Sequence, residues 1–526
     1  MPGAAFASTT PLHGSPLGIA SAHGSVLLGL EAHPIRVEVC CTRGPAFFQM
    51  VGLAEAVVRE ARVRVASALA TLDVLLDEHA ITVNLAPADL RKTGGALDVA
   101  IAAAILAATG YLPADSLERV LLIGELSLDG RLRAVRGALP LIQGARRRGL
   151  ALAVVPSENE VEAGLSAEMD VCVAATLREV VRHLRGEAVL RPARRTTLVP
   201  RVALGERDLA EVRGQAGARR ALELSAAGGH NLLLVGPPGS GKTLLARCLP
   251  SILPPLAFEE ALECTMIHSV AGVLPPEVGM VSSRPFRAPH HSVSEAGLVG
   301  GGDLPRPGEV SLAHHGVLFL DELPEFRRST IEALRQPLED GRVCIARARA
   351  RAWFPARPIV VAALNPCPCG FLGHPRRRCR CTPEGRQRYR SRLSGPLLER
   401  LDIHVQAPPV ELSALSGTGQ AESSATVRER VLRTRATQRE RATALGLSAS
   451  LNALLSGPEI ERVVELDGKS RRLLQSAMDQ LGLSARSYFK VLRVARTIAD
   501  LEQETRVRAA HVAEAIQSRA FEIVTP

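Results

Sequence analysis

The chain has 526 residues, 46% of them hydrophobic, 22% charged and 3% aromatic, and a formal net charge of +10. Enough apolar side chain is present to offset the entropy of ordering the backbone, which excludes wholesale disorder, a collagen-like repeat and a disulfide-dense miniprotein. Length predicts two to four domains, and the longest apolar run, residues 99–108, is half of the ~20 residues that a membrane span needs.

Residues 1–24 mix Ala, Ser, Gly and Pro without periodicity and are expected to form a loose lead-in. No basic segment precedes an apolar run there, so no secretory signal is expected and a reducing cytoplasm is the compartment predicted. Alternation over 35–41 and 81–85 predicts strands, and apolar residues at helical spacing over 54–72 predict a helix. A small-residue helix at 98–109, a strand at 120–128 with a turn at Asp129–Gly130, and a helix at 138–148 complete an α/β domain over 25–185. The Arg- and Pro-rich stretch 186–207 reads as a linker. A second α/β domain, 208–412, follows from the apolar runs 232–235, 317–320 and 359–364, which have the composition of strands buried on both faces of a parallel sheet. Beyond a polar linker at 413–425, residues 426–526 show helical periodicity only and are expected to form an all-helical domain.

Positive charge is not spread evenly. Residues 341–400 carry 14 Arg, two Glu and no Lys, a local +12 that leaves the rest of the chain at −2. Such a block, set within apolar sequence, points to a surface that meets a polyanion. Lysine is scarce, with Lys92, Lys242, Lys469 and Lys490 the four in the chain, so a lysine at a special position carries information.

One of them does. The run 231–243 carries an apolar strand into Gly236-Pro237-Pro238-Gly239-Ser240-Gly241-Lys242-Thr243 and then a helix. Glycines let backbone N–H groups approach phosphate oxygens, the helix start adds positive potential, Lys242 reaches the β- and γ-phosphates, and Thr243 ligates Mg²⁺. A second apolar strand ends in Asp321-Glu322, at the end of a strand where an open parallel sheet places its ligands. Asp321 is assigned to Mg²⁺ and Glu322 to polarising the attacking water. The predicted cofactors are therefore ATP and Mg²⁺.

Together with Arg284-Pro-Phe-Arg-Ala-Pro-His-His291, 299–302, 307–313, 316–326, Asn365-Pro-Cys-Pro-Cys-Gly370 and 394–402, these motifs resemble the magnesium-chelatase-like AAA+ ATPases, and among them the YifB/ComM family of competence-related proteins. The resemblance implies that Asn365 is the sensor that positions the water, Arg400 the arginine finger inserted into a neighbour's site, and Arg486 the second sensor, on a helical lid. It implies a homo-oligomeric ring, most simply a hexamer, acting on DNA in branch migration or strand exchange. A protein-remodelling ATPase, a Lon-like ATP-dependent protease and a magnesium-chelatase motor are the alternatives. By the same resemblance residues 25–185 are similar to the Lon-protease-like, ribosomal-protein-like α/β domain. Ala96 stands where that domain's nucleophilic serine belongs and Leu139 near its lysine, so the domain is expected to lack the Ser-Lys chemistry, with Lys92 on the surface or against DNA.

Arg347, Arg349 and Arg351 alternate with Ala, which in one extended ribbon puts three guanidiniums on a face. The insertion resembles the hairpin that related helicases push into the ring pore, and the alternative is a solvated strand. Arg284 and Arg287 are assigned to another loop facing that pore. Finally, Cys367, Cys369, Cys379 and Cys381 make C-x-C-x₉-C-x-C. Four thiolates suit a tetrahedral structural Zn²⁺, with His374 a substitute ligand, although pairs separated by one residue are tighter than the usual two to four.

Overall fold

The computed structural model describes residues 16–52, 56–90, 92, 94–166, 168–197, 207–275, 278–347, 350–410 and 421–519. The chain divides into two compact units, Met1–Leu198 with Thr265–Met280, and Val199–Cys264 with Val281–Pro526.

The first unit is built on an eight-stranded mixed sheet. Its strands are β1 (Pro16–Leu28), β2 (Glu31–Arg43), β3 (Phe47–Val51), β4 (His79–Ala86), β5 (Val120–Leu122), β6 (Leu152–Pro156), β7 (Asp170–Ala174) and β8 (Arg191–Pro192), in the order β8-β7-β6-β5-β1-β2-β4-β3. On β2, Ile35, Val37, Val39 and Cys41 are fully buried while their neighbours are not, so one face is covered. The cover comes from helices α1 (Ala56–Ala70) and α2 (Asp98–Ala108). In α2 every residue except Ala107 is buried, which small side chains permit on all sides at once. The sheet runs beyond the expected limits at both ends. β1 begins inside the presumed lead-in because it pairs with β2 from Pro16 onward. At the far edge β8 pairs with β7, and Thr196 N–H donates to Gly164 O, inside the presumed linker.

The second unit has a five-stranded parallel sheet made of β9 (Leu232–Val235), β10 (Phe286–Arg287), β11 (Val317–Leu320), β14 (Ile359–Leu364) and β15 (Ile403–Gln406), ordered β10-β11-β14-β9-β15. All residues of β9, β11 and β14 are buried, as strands sandwiched between helices must be. Between β11 and β14 the chain makes a separate hairpin, β12 (Arg342–Arg347) with β13 (Ala350–Pro355). Register sets Val235 beside Leu364, and Leu320 beside Ala362. The residues that follow β9, β11 and β14 therefore leave the sheet on the same edge.

Helices α3 (Ala138–Arg146) and α4 (Leu177–Leu184) belong to the first unit, and α5 (Ala216–Gly228) and α6 (Lys242–Ile252) to the second. Helix α7 (Phe258–Ala271) begins in the second unit and ends in the first. Helix α8 (Pro383–Arg390) precedes β15. The C-terminal helices α9 (Ser424–Leu445), α10 (Gly457–Val463), α11 (Gly468–Leu481), α12 (Ala485–Leu501) and α13 (Ala509–Gln517) share the core of the second unit rather than forming a separate body. Three of them start on Ser423, Asp467 and Ser484, whose side chains accept backbone N–H groups of the first turn; each such cap stabilises by about 1 kcal/mol. Among the described residues no helix is long and apolar enough to cross a membrane.

Candidate functional site

Strand β9 ends at Val235, and Gly236–Gly241 turns the chain into α6. Gly236 has no room for a side chain, since a Cβ would lie 2.2 Å from Ala407 O. Gly239 and Gly241 adopt left-handed φ of 78° and 85°, and a Cβ at either would meet nothing within 4 Å. The loop is thus packed on its inner side and open on its outer side, with the first turn of α6 pointing its N–H groups outward. Ser240 Oγ is buried without a hydrogen-bond partner among the described residues. A phosphate cradle with an unsatisfied donor fits a nucleotide phosphate.

Lys242 Nζ folds back over this loop, donating to Gly236 O at 2.7 Å, Pro237 O at 2.9 Å and Asn365 Oδ1 at 3.2 Å. Burial draws its ammonium below the usual lysine range, against the pull of Asp321 and Glu322. Thr243 Oγ1 donates to Asp321 Oδ2 at 2.9 Å, so the hydroxyl and carboxylate assigned to Mg²⁺ already face one another. Glu322, mostly exposed, has a left-handed φ of 51°, and its N–H donates to Asp321 Oδ1. The Asp321 carboxylate thus meets Thr243 while the Glu322 carboxylate lies beside His291. Three strands thus deliver Lys242, Thr243, Asp321, Glu322 and Asn365 to one place.

His291 was not singled out by sequence reasoning, yet its Nδ1 is 3.8 Å from Glu322 Oε2, with the ring 4.0 Å from that of His290 between centroids and tilted 36° to it. The signal lay in the His-His pair closing the 284–291 stretch. A second missed cluster joins Glu263, His314 and His315. Arg357 N–H donates to His314 Nδ1, so the neutral ring carries its proton on Nε2 and gives it to Glu263 Oε2 at 2.9 Å; His315 Nε2 reaches the same oxygen at 2.8 Å. Those two hydrogen bonds hold the Glu263 carboxyl well below the ordinary range, while burial pushes His314 down to about 4. With the His314 lone pair turned toward Arg357, the trio is a structural network rather than a metal centre.

Arg400 is folded onto its own chain. Its guanidinium donates to Arg335 O, Pro396 O and, at 2.6 Å, Glu339 Oε2, leaving the side chain 12% exposed. Arg486, 62% exposed, lies 3.7 Å from the other oxygen of Glu339 and 4.0 Å from Glu399. The two arginines share Glu339 rather than entering the Lys242 cluster of their own chain.

The hairpin corrects one expectation. Arg347 ends β12 opposite Ala350, and Arg351 pairs with Ala346, so the chain reverses between them and they occupy opposite faces. Arg349 lies outside the described residues. Arg351 shares its face with Arg342 and Trp353, whose ring, 36% exposed, has the Arg342 guanidinium 4.3 Å and the Arg351 guanidinium 5.2 Å from its centroid. Phe354, on the other face, is fully buried. Arg284 is also corrected, being committed within the fold, while Arg287 keeps 35% of its side chain exposed beside its carboxylate partner. Arg284 is buried, donating to Pro254 O and His315 O and pairing with Glu260, and Arg287 forks onto Glu309 at 2.6 and 2.8 Å.

In the first unit Lys92 is buried, not exposed, and its ammonium donates to Pro87 O. Leu139 is fully buried, its N–H donating to Glu162 Oε1. With Ala96 and Leu139 at the positions of interest, neither a nucleophile nor a base is offered there.

The four cysteines converge. Cys367 Sγ is 3.4 Å from Cys369 Sγ and 3.7 Å from Cys379 Sγ, Cys369 Sγ is 3.6 Å from Cys379 Sγ, and all four sulfurs lie within 4.8 Å of one another. His374 is not among them, as its Nδ1 accepts the N–H groups of Arg376 and Arg377.

Family models match three stretches of the chain. Magnesium chelatase subunit ChlI matches residues 208–415, a further model of subunit ChlI matches 37–159, and its C-terminal model matches 421–519. The chain is 44% identical to YifB of Salmonella typhimurium over 509 residues and 43% identical to the competence protein ComM of Haemophilus influenzae over 513, each time covering 96% of this chain and 98% of the relative. A shorter match, 28% over 146 residues and a quarter of each chain, is to Lon protease 2 of Bacillus subtilis. A magnesium-chelatase-like AAA+ body, a helical C-terminal region and near full-length identity to both namesakes together place this chain in the YifB/ComM family.

Proposed function

We propose that the protein is an ATP-driven motor that assembles as a ring of identical subunits, six by resemblance, and works on DNA during its uptake and recombination. The observation that carries the ATPase part is the convergence of Lys242, Thr243, Asp321, Glu322 and Asn365 around an open phosphate loop. Thr243 and Asp321 would hold Mg²⁺, which neutralises phosphate charge. Lys242 exchanges two loop carbonyls for phosphate oxygens, and Asn365, released from it, orients water for Glu322. Arg400 and Arg486, side by side around Glu339, form the basic pair offered to a neighbour's nucleotide. Release of Arg400 from Glu339 is then part of assembly.

DNA as the partner rests on the Arg-rich hairpin and on the competence name of the Haemophilus relative. The face formed by Arg342, Trp353 and Arg351 combines guanidiniums for phosphate with a ring for stacking, which favours sequence-independent binding. A polypeptide substrate is the second reading, favoured by the exposed indole alone. The first unit, by resemblance Lon-like in fold, serves in this reading as a non-proteolytic scaffold, and the cysteine loop holds Zn²⁺. The deciding measurement is the ATPase rate with forked, four-way and duplex DNA against an unfolded polypeptide. Stimulation by polypeptide and not by DNA overturns the DNA reading.

A further inference from the structure

We propose that the four-cysteine loop is a zinc knuckle that braces the nucleotide site, so that bound Zn²⁺ sets the position of the phosphate loop and of Asn365. The inference rests on the nucleotide-site reading above and deepens it.

Geometry gives the metal. Zn–S bonds of ~2.3 Å in a tetrahedron put the sulfurs about 3.8 Å apart, and the three pairs closest to contact stand at 3.4–3.7 Å. A disulfide requires about 2.0 Å, so these are four free thiols gathered round a common point. The Cys369 N–H donates to Cys381 Sγ at 3.4 Å, and the backbone of Leu372 lies beside Cys367 and that of Phe371 and Arg380 beside Cys369. A donor such as the Cys369 N–H stabilises a thiolate that carries a metal. Arg376, Arg377, Arg378 and Arg380 on the same loop offset the −2 charge of a Zn(Cys)₄ centre.

Geometry also gives the coupling. The loop leaves β14 at Asn365, which holds Lys242 Nζ, and reaches its first sulfur two residues later. Gly370, inside the loop, has a φ of 81°, and a Cβ there would fall 2.4 Å from Pro238 Cδ of the phosphate loop. The knuckle is thus pressed against the back of Gly236–Gly241. After Cys381 the chain enters α8, whose buried Tyr389 lies against the backbone of Asn365. The segment therefore starts at Asn365, touches Pro238 and closes again on Asn365. It has few apolar residues to hold that path, and a metal cross-link is what would fix it.

The test uses the full-length protein. Zinc is counted by plasma mass spectrometry, and affinity for a fluorescent ATP analogue is titrated in excess Mg²⁺ before zinc is stripped, after stripping and desalting, and after Zn²⁺ is returned. About one zinc per chain is expected, with affinity falling at least tenfold on stripping and recovering on re-addition. Gly370→Ala, which keeps all four thiols, should keep its zinc and still lose at least fivefold in affinity; it decides the matter if the stripped protein unfolds. Zinc present but affinity unmoved by stripping and by Gly370→Ala overturns the brace and leaves the metal site standing. No zinc in the protein overturns the proposal while nucleotide binding abolished by Lys242→Ala still upholds the ATPase reading. Absence of nucleotide binding in the unaltered protein overturns both.

Discussion

Lys490 is held 2.7 Å from Asp402 Oδ1, both side chains nearly buried. This pair fastens α12, which carries Arg486, to the start of β15, two residues past Arg400. Replacing Lys490 by Met keeps the apolar stem and removes the charge, leaving Asp402 with the Asn231 N–H at 3.0 Å and His230 Nδ1 at 3.8 Å. Breaking a buried pair from one side costs about 3–5 kcal/mol, and the two remaining partners argue for the lower end, about 3 kcal/mol. The second unit holds roughly 310 residues; at about 2.1 cal/mol/K per residue its unfolding entropy is near 0.65 kcal/mol/K, so Tm should fall by about 5 °C. Burial opposes ionisation of Asp402, but Lys490 and His230 outweigh it and keep the carboxyl far below its ordinary range. A depressed carboxyl stabilises above its unfolded pKa of about 3.9 and loses that contribution as pH falls toward the folded value. The deficit of Lys490→Met should accordingly be full at pH 7 and shrink below about pH 4. Scanning calorimetry of Lys490→Met, Asp402→Asn and the double variant checks this, with the double variant recovering much of the loss because no buried charge is left over. A single variant within 1 °C of the parent, or a double variant no better than the singles, refutes the reasoning.

Lys242→Ala should abolish binding of a fluorescent ATP analogue, whereas Glu322→Gln should bind it and stall before phosphate release; equal loss of binding in both would contradict the separate roles. Mixing Arg400→Ala with Glu322→Gln subunits should restore some ATP turnover, measured by phosphate release, if the arginine acts on a neighbour. Arg342→Ala with Arg351→Ala should flatten the dependence of log DNA affinity on log salt by about 1.4–1.8, while Arg347→Ala, on the opposite face of the hairpin, should change it less; fluorescence anisotropy at several salt concentrations separates the two.

The nucleotide strands were legible because a parallel sheet buries both faces and leaves an uninterrupted apolar run, and the loop after β9 carries residues whose spacing has few other uses. β1 was not legible, because its Ala, Ser and Gly have weak strand preference and it is held by pairing with β2, a tertiary effect. Charge counts misled in a consistent way. Arg284 and Lys92 look like surface cations in sequence, yet each is committed to acceptors inside the fold, and only the partner's position distinguishes the two cases. Alternating Arg347, Arg349 and Arg351 read as one strand because no glycine or proline in that stretch signals that Arg347 and Arg351 belong to two paired strands. His291 could be seen in the sequence but not assigned, since its meaning comes from Glu322, thirty-one positions away.

Helix α7 changes allegiance midway, and this dictates how the polypeptide must be made. Ser269, near its end, donates to the buried carboxylate of Glu162 and accepts Gly137 N–H, so the first unit is incomplete until residues 265–280 have been added. A ribosome working at 5–20 residues per second needs about 4 to 16 s to travel the roughly 80 residues from 198 to 280. During that interval Glu162 waits with one donor short, and the whole of the phosphate-loop sequence is synthesised before the earlier unit can close. Fragment 1–198, cut at the apparent boundary, should for the same reason be less stable than the same fragment supplied with a peptide of residues 258–280.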